Sequence, residues 1–282
     1  MEEDRPSLTA HRVAVRRAAH QILDHPKVLE DPIALKIVGE QSISEIRSQQ
    51  PESVTSRHLR AFVVARSRYT EDALAEAIKR GLSQYVILGA GLDTFAYRSP
   101  YPPSSLQIFE VDHPSTQRWK RNRLQEAQIS IPESLTFVDV DFETQTLAER
   151  LEESGFKIDV PAFFAFLGVS MYLTREAVMT TINYVATSTS PGSEIVFDYT
   201  VPPDSLAPLQ QASFHALARR VAAAGEPWRT FLDPQLLVNE LIAMGFTHTE
   251  DLGPEDINSR FFKDRTDGLR VGGLAHLIKA SR

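Results

Sequence analysis

The sequence predicts a doubly wound α/β fold, a mostly parallel seven-stranded sheet with helices on both faces behind an N-terminal helical cap. Five short apolar runs rich in β-formers begin at Tyr85: YVILGAG, LQIFEVD, LTFVDVD, AFFAFLGVSMY and EIVFDYT. Their apolar residues do not alternate with polar ones, the pattern of strands buried on both faces of a parallel sheet. A helix-length segment follows each, such as STQRWKRNRLQEA or TREAVMTTINYVATST, so strand and crossover helix repeat as a unit.

Residues 9–80 read as helices, since no period-two segment precedes Tyr85. Alanines and arginines alternate with Val13, Val15, Ile22 and Leu23, and DPIALKIVGEQ opens on an Asp-Pro helix start. A third helix is predicted from Ser53 to Arg80, stopped by Gly81. After Asp198 come two more helices, LAPLQQASFHALARRVAAAG and DPQLLVNELIAMGF, and closing strands near THTEDL and GGLAHLIKA. The expectation is one domain, 1–282, with a cap (1–80), a ligand-binding core (81–200) and a substrate-side insertion with terminal strands (201–282).

The 282 residues carry a formal charge of −7 and 42% hydrophobic residues, enough for a buried core and poorly suited to nucleic acid. The basic stretches HRVAVRR and RWKRNR read as solvated helix faces. Cysteine is absent and the eight histidines lack metal-ligand spacing, so no metal site is expected. MEEDRPSLTAHR lacks the apolar core of a signal peptide, and no run reaches the ~18 apolar residues of a membrane span. A cytoplasmic protein without a membrane partner is expected.

Ligands of open parallel sheets bind at the carboxyl ends of the strands. Here those ends carry Gly89 and Gly91, Glu110 and Asp112, Asp139 and Asp141, Leu167 and Gly168, and Asp198. Gly89 and Gly91 permit positive φ and close approach of the backbone. Asp112, about twenty residues on, suits the two vicinal hydroxyls of a ribose. Glycines and acid together indicate an adenosine-containing cofactor, NAD or S-adenosylmethionine. A dinucleotide site wants glycine or alanine where Thr94 stands, and Asp93 would repel a pyrophosphate. Asp141 closes the third strand, where an acid can meet the adenine amino group.

GAGLDTFAYR, FEVDHP, VDVDFE and GVSMYLTREAV resemble the class I S-adenosylmethionine-dependent methyltransferases of the leucine carboxyl methyltransferase-like group, which includes small-molecule O-methyltransferases. The resemblance extends from TAHRVAVRRAAH and DPIALKIVG through ARSRY to GGLAHLI. It implies a Rossmann-like methyltransferase fold with S-adenosylmethionine as cofactor. Arg66 of ARSRY would grip the methionine carboxylate, as a planar fork can, and Gly89 and Gly91 would line that end. Asp112 would hold the ribose, Asp141 the adenine amino group with Phe142 beside the ring, and the carbonyl near Leu167 the ammonium. Many relatives carry a glutamate where this chain has Leu167. Of the neighbouring residues, Arg68 reads as surface and Asp93 as a turn residue. The pattern does not separate Asp139 from Asp141, or a capping role from a substrate-side role for Asp198, or a plain loop residue from an adenine cover at His113.

The chemistry implied is methyl transfer to a small-molecule acceptor, which mainly needs in-line placement. No catalytic His-Asp pair is identifiable, which favours an ionised carboxylate over a hydroxyl, since the latter wants a base. Tyr172, His215 and Arg219 are the catalytic candidates; Tyr199 and Trp228 join them as acceptor contacts. Three alternatives stand beside this: methylation of a protein's C-terminal leucine carboxylate, an NAD-dependent oxidoreductase and a non-catalytic cofactor binder.

Overall fold

The structure, a computed structural model, describes residues 7–48, 52–141, 145–223 and 225–282. Its sheet contains β1 (Gln84–Leu88), β2 (Gln107–Asp112), β3 (Leu135–Asp139), β4 (Ala162–Phe166), β5 (Glu194–Thr200), β6 (His248–Leu252) and β7 (Ala275–Ser281). The strand order is β3-β2-β1-β4-β5-β7-β6. The first five strands are parallel, and β7 runs antiparallel between β5 and β6. Chain order reverses at β1, which sits between β2 and β4, so the crevice of the doubly wound sheet opens above the end of β1.

The run AFFAF shows why these strands do not alternate. Phe164 and Phe166 pack with Val86 and Leu88 on one face, while Phe163 and Ala165 pack with Val64 and Tyr85 on the other. Helices α4 (Pro114–Glu126), α5 (Leu147–Glu153), α6 (Arg175–Ser188), α7 (Pro208–Ala222) and α8 (Pro234–Ala243) follow in turn. A short α9 (Pro254–Phe261) between β6 and β7 was not foreseen; its start signals are Pro254 at the first turn and Asp256 reaching back to the Gly253 N–H.

The cap consists of α1 (Leu8–Leu23), α2 (Pro32–Ser48) and α3 (Val54–Lys79). Ala14 and Ala18 of α1 meet Ile37 and Val38 of α2, and the cluster extends to Leu92, just after the glycine turn. Buried charges fasten these pieces. Asp31 caps α2 by accepting the Ala34 N–H at 3.1 Å and also accepts the Thr94 hydroxyl at 2.6 Å. Arg17 and Arg98 approach it at 3.5 and 3.3 Å. The expectation that HRVAVRR and RWKRNR are solvated is therefore corrected: Arg17 is buried against Asp31 and Asp93, and Lys120 is buried 2.6 Å from Glu110. Both lie where a helix meets the sheet's ligand edge, which a composition count does not reveal. Among the described residues no helix is long and apolar enough to cross a membrane.

A second network joins α1 to α3. Asp24 accepts from His20 Nδ1 at 2.7 Å and from Arg60 Nε and Nη2 at 2.8 and 3.0 Å. Burial alone would raise the Asp24 carboxyl; the His20 and Arg60 hydrogen bonds outweigh it and hold the group below the usual range. Asp24→Asn strips the charge from a buried partner of Arg60. It is expected to cost about 3–5 kcal/mol in urea unfolding; a loss below about 1 kcal/mol would show that Glu52 alone satisfies Arg60.

Candidate functional site

The carboxyl ends of β1 to β4 converge on a cavity of about 450 Å³, roofed by α1 and by the segment around Gly225 to Arg229. That volume is in the range of small-molecule sites. Gly89, Gly91, Asp112, Asp141 and Leu167 all line it, as do Arg66 and Tyr172. Phe142 lies outside the described residues.

Local folding explains the floor. The Gly89 and Ala90 N–H groups donate to the Val111 carbonyl at 2.8 and 3.0 Å, bending the chain over β2. Gly89 has φ +67°, and a Cβ there would overlap Val169 Cγ2, so glycine is required both by conformation and by space. The next bend is held by Asp112, which accepts the Gly91 N–H at 2.5 Å and the His113 N–H at 2.7 Å. Burial pushes the Asp112 carboxyl up, opposed by those two N–H groups. Asp93 accepts the Phe95 N–H at 2.8 Å and pairs with Arg17 at 3.2 Å. Burial would raise its pKa, but Arg17, Lys120 and the Phe95 N–H hold it low. It is thus the turn residue expected, with an added ion pair.

Position separates residues the sequence left paired. Asp141 lines the cavity, whereas Asp139 does not; the Asp139 carbonyl instead accepts Arg150 Nε at 3.0 Å. Arg68 is exposed and pairs with Asp72 at 2.9 Å, while Arg66 two residues earlier is buried and faces the cavity. His113 also lines the cavity, its Nδ1 2.7 Å from Ser115 Oγ. Asp198 is fully buried behind the lining, bound to Arg66.

Val13, Val169, Leu173 and Pro227 supply apolar walls. Burial pushes the Tyr172 phenol up, so it remains a hydrogen-bond donor at neutral pH. Arg16 is its electrostatic neighbour, pushed down to about 10 by burial, with a buried Nε that has no partner among the described residues. Arg229 stands at the mouth, its N–H donating to the Met171 carbonyl at 2.7 Å. Glu226 accepts from Ser7 Oγ at 2.7 Å, from the Thr9 N–H at 3.0 Å and from Thr9 Oγ1, clasping the start of α1. Sequence reasoning missed this clasp because the partners lie 217 and more residues apart.

His215 and Arg219 sit elsewhere. Both are exposed on α7 and neither lines the cavity, because α7 turns Phe214, Leu217 and Val221 inward and those two outward. Tyr199 is buried within β5, donating to Asp251 at 2.9 Å, and Trp228 packs on Phe214. Among the described residues the His-Asp ion pairs are His20–Asp24 and His276–Asp251; neither lines the cavity, and His20 Nε2 already accepts the Val28 N–H at 2.9 Å. Among the described residues there is no metal-binding cluster.

The family profile described as leucine carboxyl methyltransferase matches residues 10–186, most of the cap and the strands that form the glycine turn and its acids. The chain belongs to the leucine carboxyl methyltransferase family. It is 36% identical to the Bacillus subtilis protein YktD, a candidate S-adenosyl-L-methionine-dependent methyltransferase, over 99% of both chains. A Mycolicibacterium smegmatis protein of the same description is 27% identical, matching 78% of this chain and 73% of that one. Among solved structures, a candidate methyltransferase from Thermobifida fusca shares the fold with a TM-score of 0.60 at 16% identity, covering 99% of this chain and 95% of that one. The protein is a methyltransferase of this family and its cofactor is S-adenosylmethionine. The donor set suits that cofactor: a buried guanidinium, a tight backbone turn and carboxylates at the ends of β2 and β3 surround one cavity.

Two outcomes follow. Gly89→Ala is expected to weaken binding of S-adenosylhomocysteine about tenfold or more in calorimetry; unchanged affinity would place the cofactor away from this turn. Burial raises Glu110 from 4.5 to about 7 despite Lys120 beside it. The folded state therefore holds a proton that the unfolded state has lost, so this group's stabilisation is full below about pH 4.5 and fades as pH rises through about 7. In urea unfolding, Glu110→Gln/Lys120→Met should gain stability relative to wild type from about pH 5 to about pH 8; parallel curves would refute the raised value.

Proposed function

We propose that this protein is an O-methyltransferase that esterifies a carboxylate on a small-molecule acceptor. The observation that carries this reading is that three carboxylates of the cavity lining are already engaged, while the lining histidine, His113, stands at the start of α4 at the end of β2. Asp93 is paired with Arg17, Asp112 is held by two backbone N–H groups, and Glu226 already accepts three donors. A carboxylate is ionised at neutral pH and needs no base, whereas an alcohol or phenol does. Arg229 at the mouth and Arg16 near Tyr172 add positive charge where an anionic acceptor would lie.

In this reading Arg66 takes the methionine carboxylate of the cofactor, Gly89 and Gly91 lie along that end, and the Leu167 carbonyl meets the ammonium. Asp112 uses its remaining lone pairs for the ribose, and Asp141 meets the adenine amino group. When bound, S-adenosylmethionine supplies an electrophilic methyl on sulfur. The protein's contribution is placement: the apolar walls exclude water, and Tyr172 and Arg229 orient the acceptor carboxylate for in-line attack. Neither His215 nor Arg219 has a part. The lidded mouth, closed by Glu226 across α1, favours a small acceptor over a protein C-terminus.

Screening carboxylic acids and phenols with labelled cofactor tests the reading. Methyl esters release methanol in mild base and methyl ethers do not, so base-labile product is expected; a base-stable product alone would overturn it. Arg229→Ala should raise KM for the acceptor about tenfold and leave the affinity for S-adenosylhomocysteine unchanged. A weakened cofactor with an unchanged acceptor KM would reverse the assignment.

A further inference from the structure

Arg66 is buried beside the turn from Leu167 to Gly168. Its partner comes from the neighbouring strand. Asp198 Oδ2 accepts from Arg66 Nη1 at 2.7 Å, and Oδ1 accepts the Gly168 N–H at 2.5 Å. The Asp198 carbonyl also accepts Ser170 Oγ at 2.6 Å. Phe166 pairs with Phe197, so Asp198 is the next rung of β5 beside Leu167, one strand spacing or about 5 Å away. The Arg66 guanidinium lies against the Gly168 backbone so closely that a Cβ there would stand 2.6 Å from Nη2. Asp198 is 0% exposed and does not line the cavity, so it acts only through what it holds.

We infer that Asp198 is the positioning residue for the amino-acid end of the cofactor, acting from β5 through Arg66 and the Gly168 N–H. It fixes the Arg66 fork toward the methionine carboxylate and fixes the loop from Leu167 to Ser170 through the Gly168 N–H. This rests on the assignment of Arg66 to that carboxylate.

The test compares two ligands by calorimetry: S-adenosylhomocysteine, which has the amino-acid tail, and 5′-methylthioadenosine, which lacks it. Asp198→Asn keeps the shape and removes the charge. It is expected to weaken S-adenosylhomocysteine by about 10- to 100-fold, the scale of a charged hydrogen bond, with methylthioadenosine changed less than about twofold. Equal loss on both ligands would reduce Asp198 to general structural support and overturn the inference. Arg66→Gln separates the two readings: if it leaves S-adenosylhomocysteine unchanged while Asp198→Asn weakens it, the Arg66 assignment fails and the route through it fails too. Gly168→Ala crowds the Arg66 guanidinium and strains the turn whose N–H Asp198 accepts, so a tail-selective loss is expected there too, and its absence would overturn the inference even if Asp198→Asn does not fold.

Discussion

The ion pairs of Arg17 with Asp31 and Asp93 hold the molecule's two halves in register. Arg17 belongs to the cap, Asp93 to the turn after β1, and Asp31 caps α2 while binding Thr94 of that same turn. Taking these charges out of water is costly, and their mutual satisfaction is what makes the arrangement stable. Hence α1 has one seat on the sheet edge, with Ala10 and Val13 facing the cavity. The glycine turn, the cap and the roof of the site are consequences of that seat.

The fold was legible because parallel strands buried on both faces leave an unmistakable texture, and AFFAF needs no alignment to be read. The cavity's place was legible for a related reason: the topology gathers the strand ends, and Gly89, Gly91, Asp112, Asp141 and Leu167 line one cavity there. What the sequence could not resolve depended on direction. Asp139 and Asp141 share a pattern, but the strand ends between them, and only Asp141 reaches the cavity. Arg17 and Lys120 looked like surface because a basic run on a helix usually is; their acidic partners lie far away in sequence. His215 and Arg219 were plausible by type and excluded by the rotation of α7.

The two sides of the cavity differ in construction. One side is made of strand ends and backbone hydrogen bonds, fixed by the sheet. The other is made of side chains from α1, from the turn at Tyr172 and from the segment around Glu226, which meet only through tertiary contacts. Substitutions there leave the sheet intact, which is how one fold comes to serve many substrates.

Arg66 is already paired, the turn at Gly91 is already pinned by Asp112, and Glu226 already holds the start of α1. The ordering entropy that a loose site would surrender at each binding event has been surrendered once, during folding. A ligand entering this cavity meets groups already in place, and the few buried carboxylates that shape the cavity also tie the fold together.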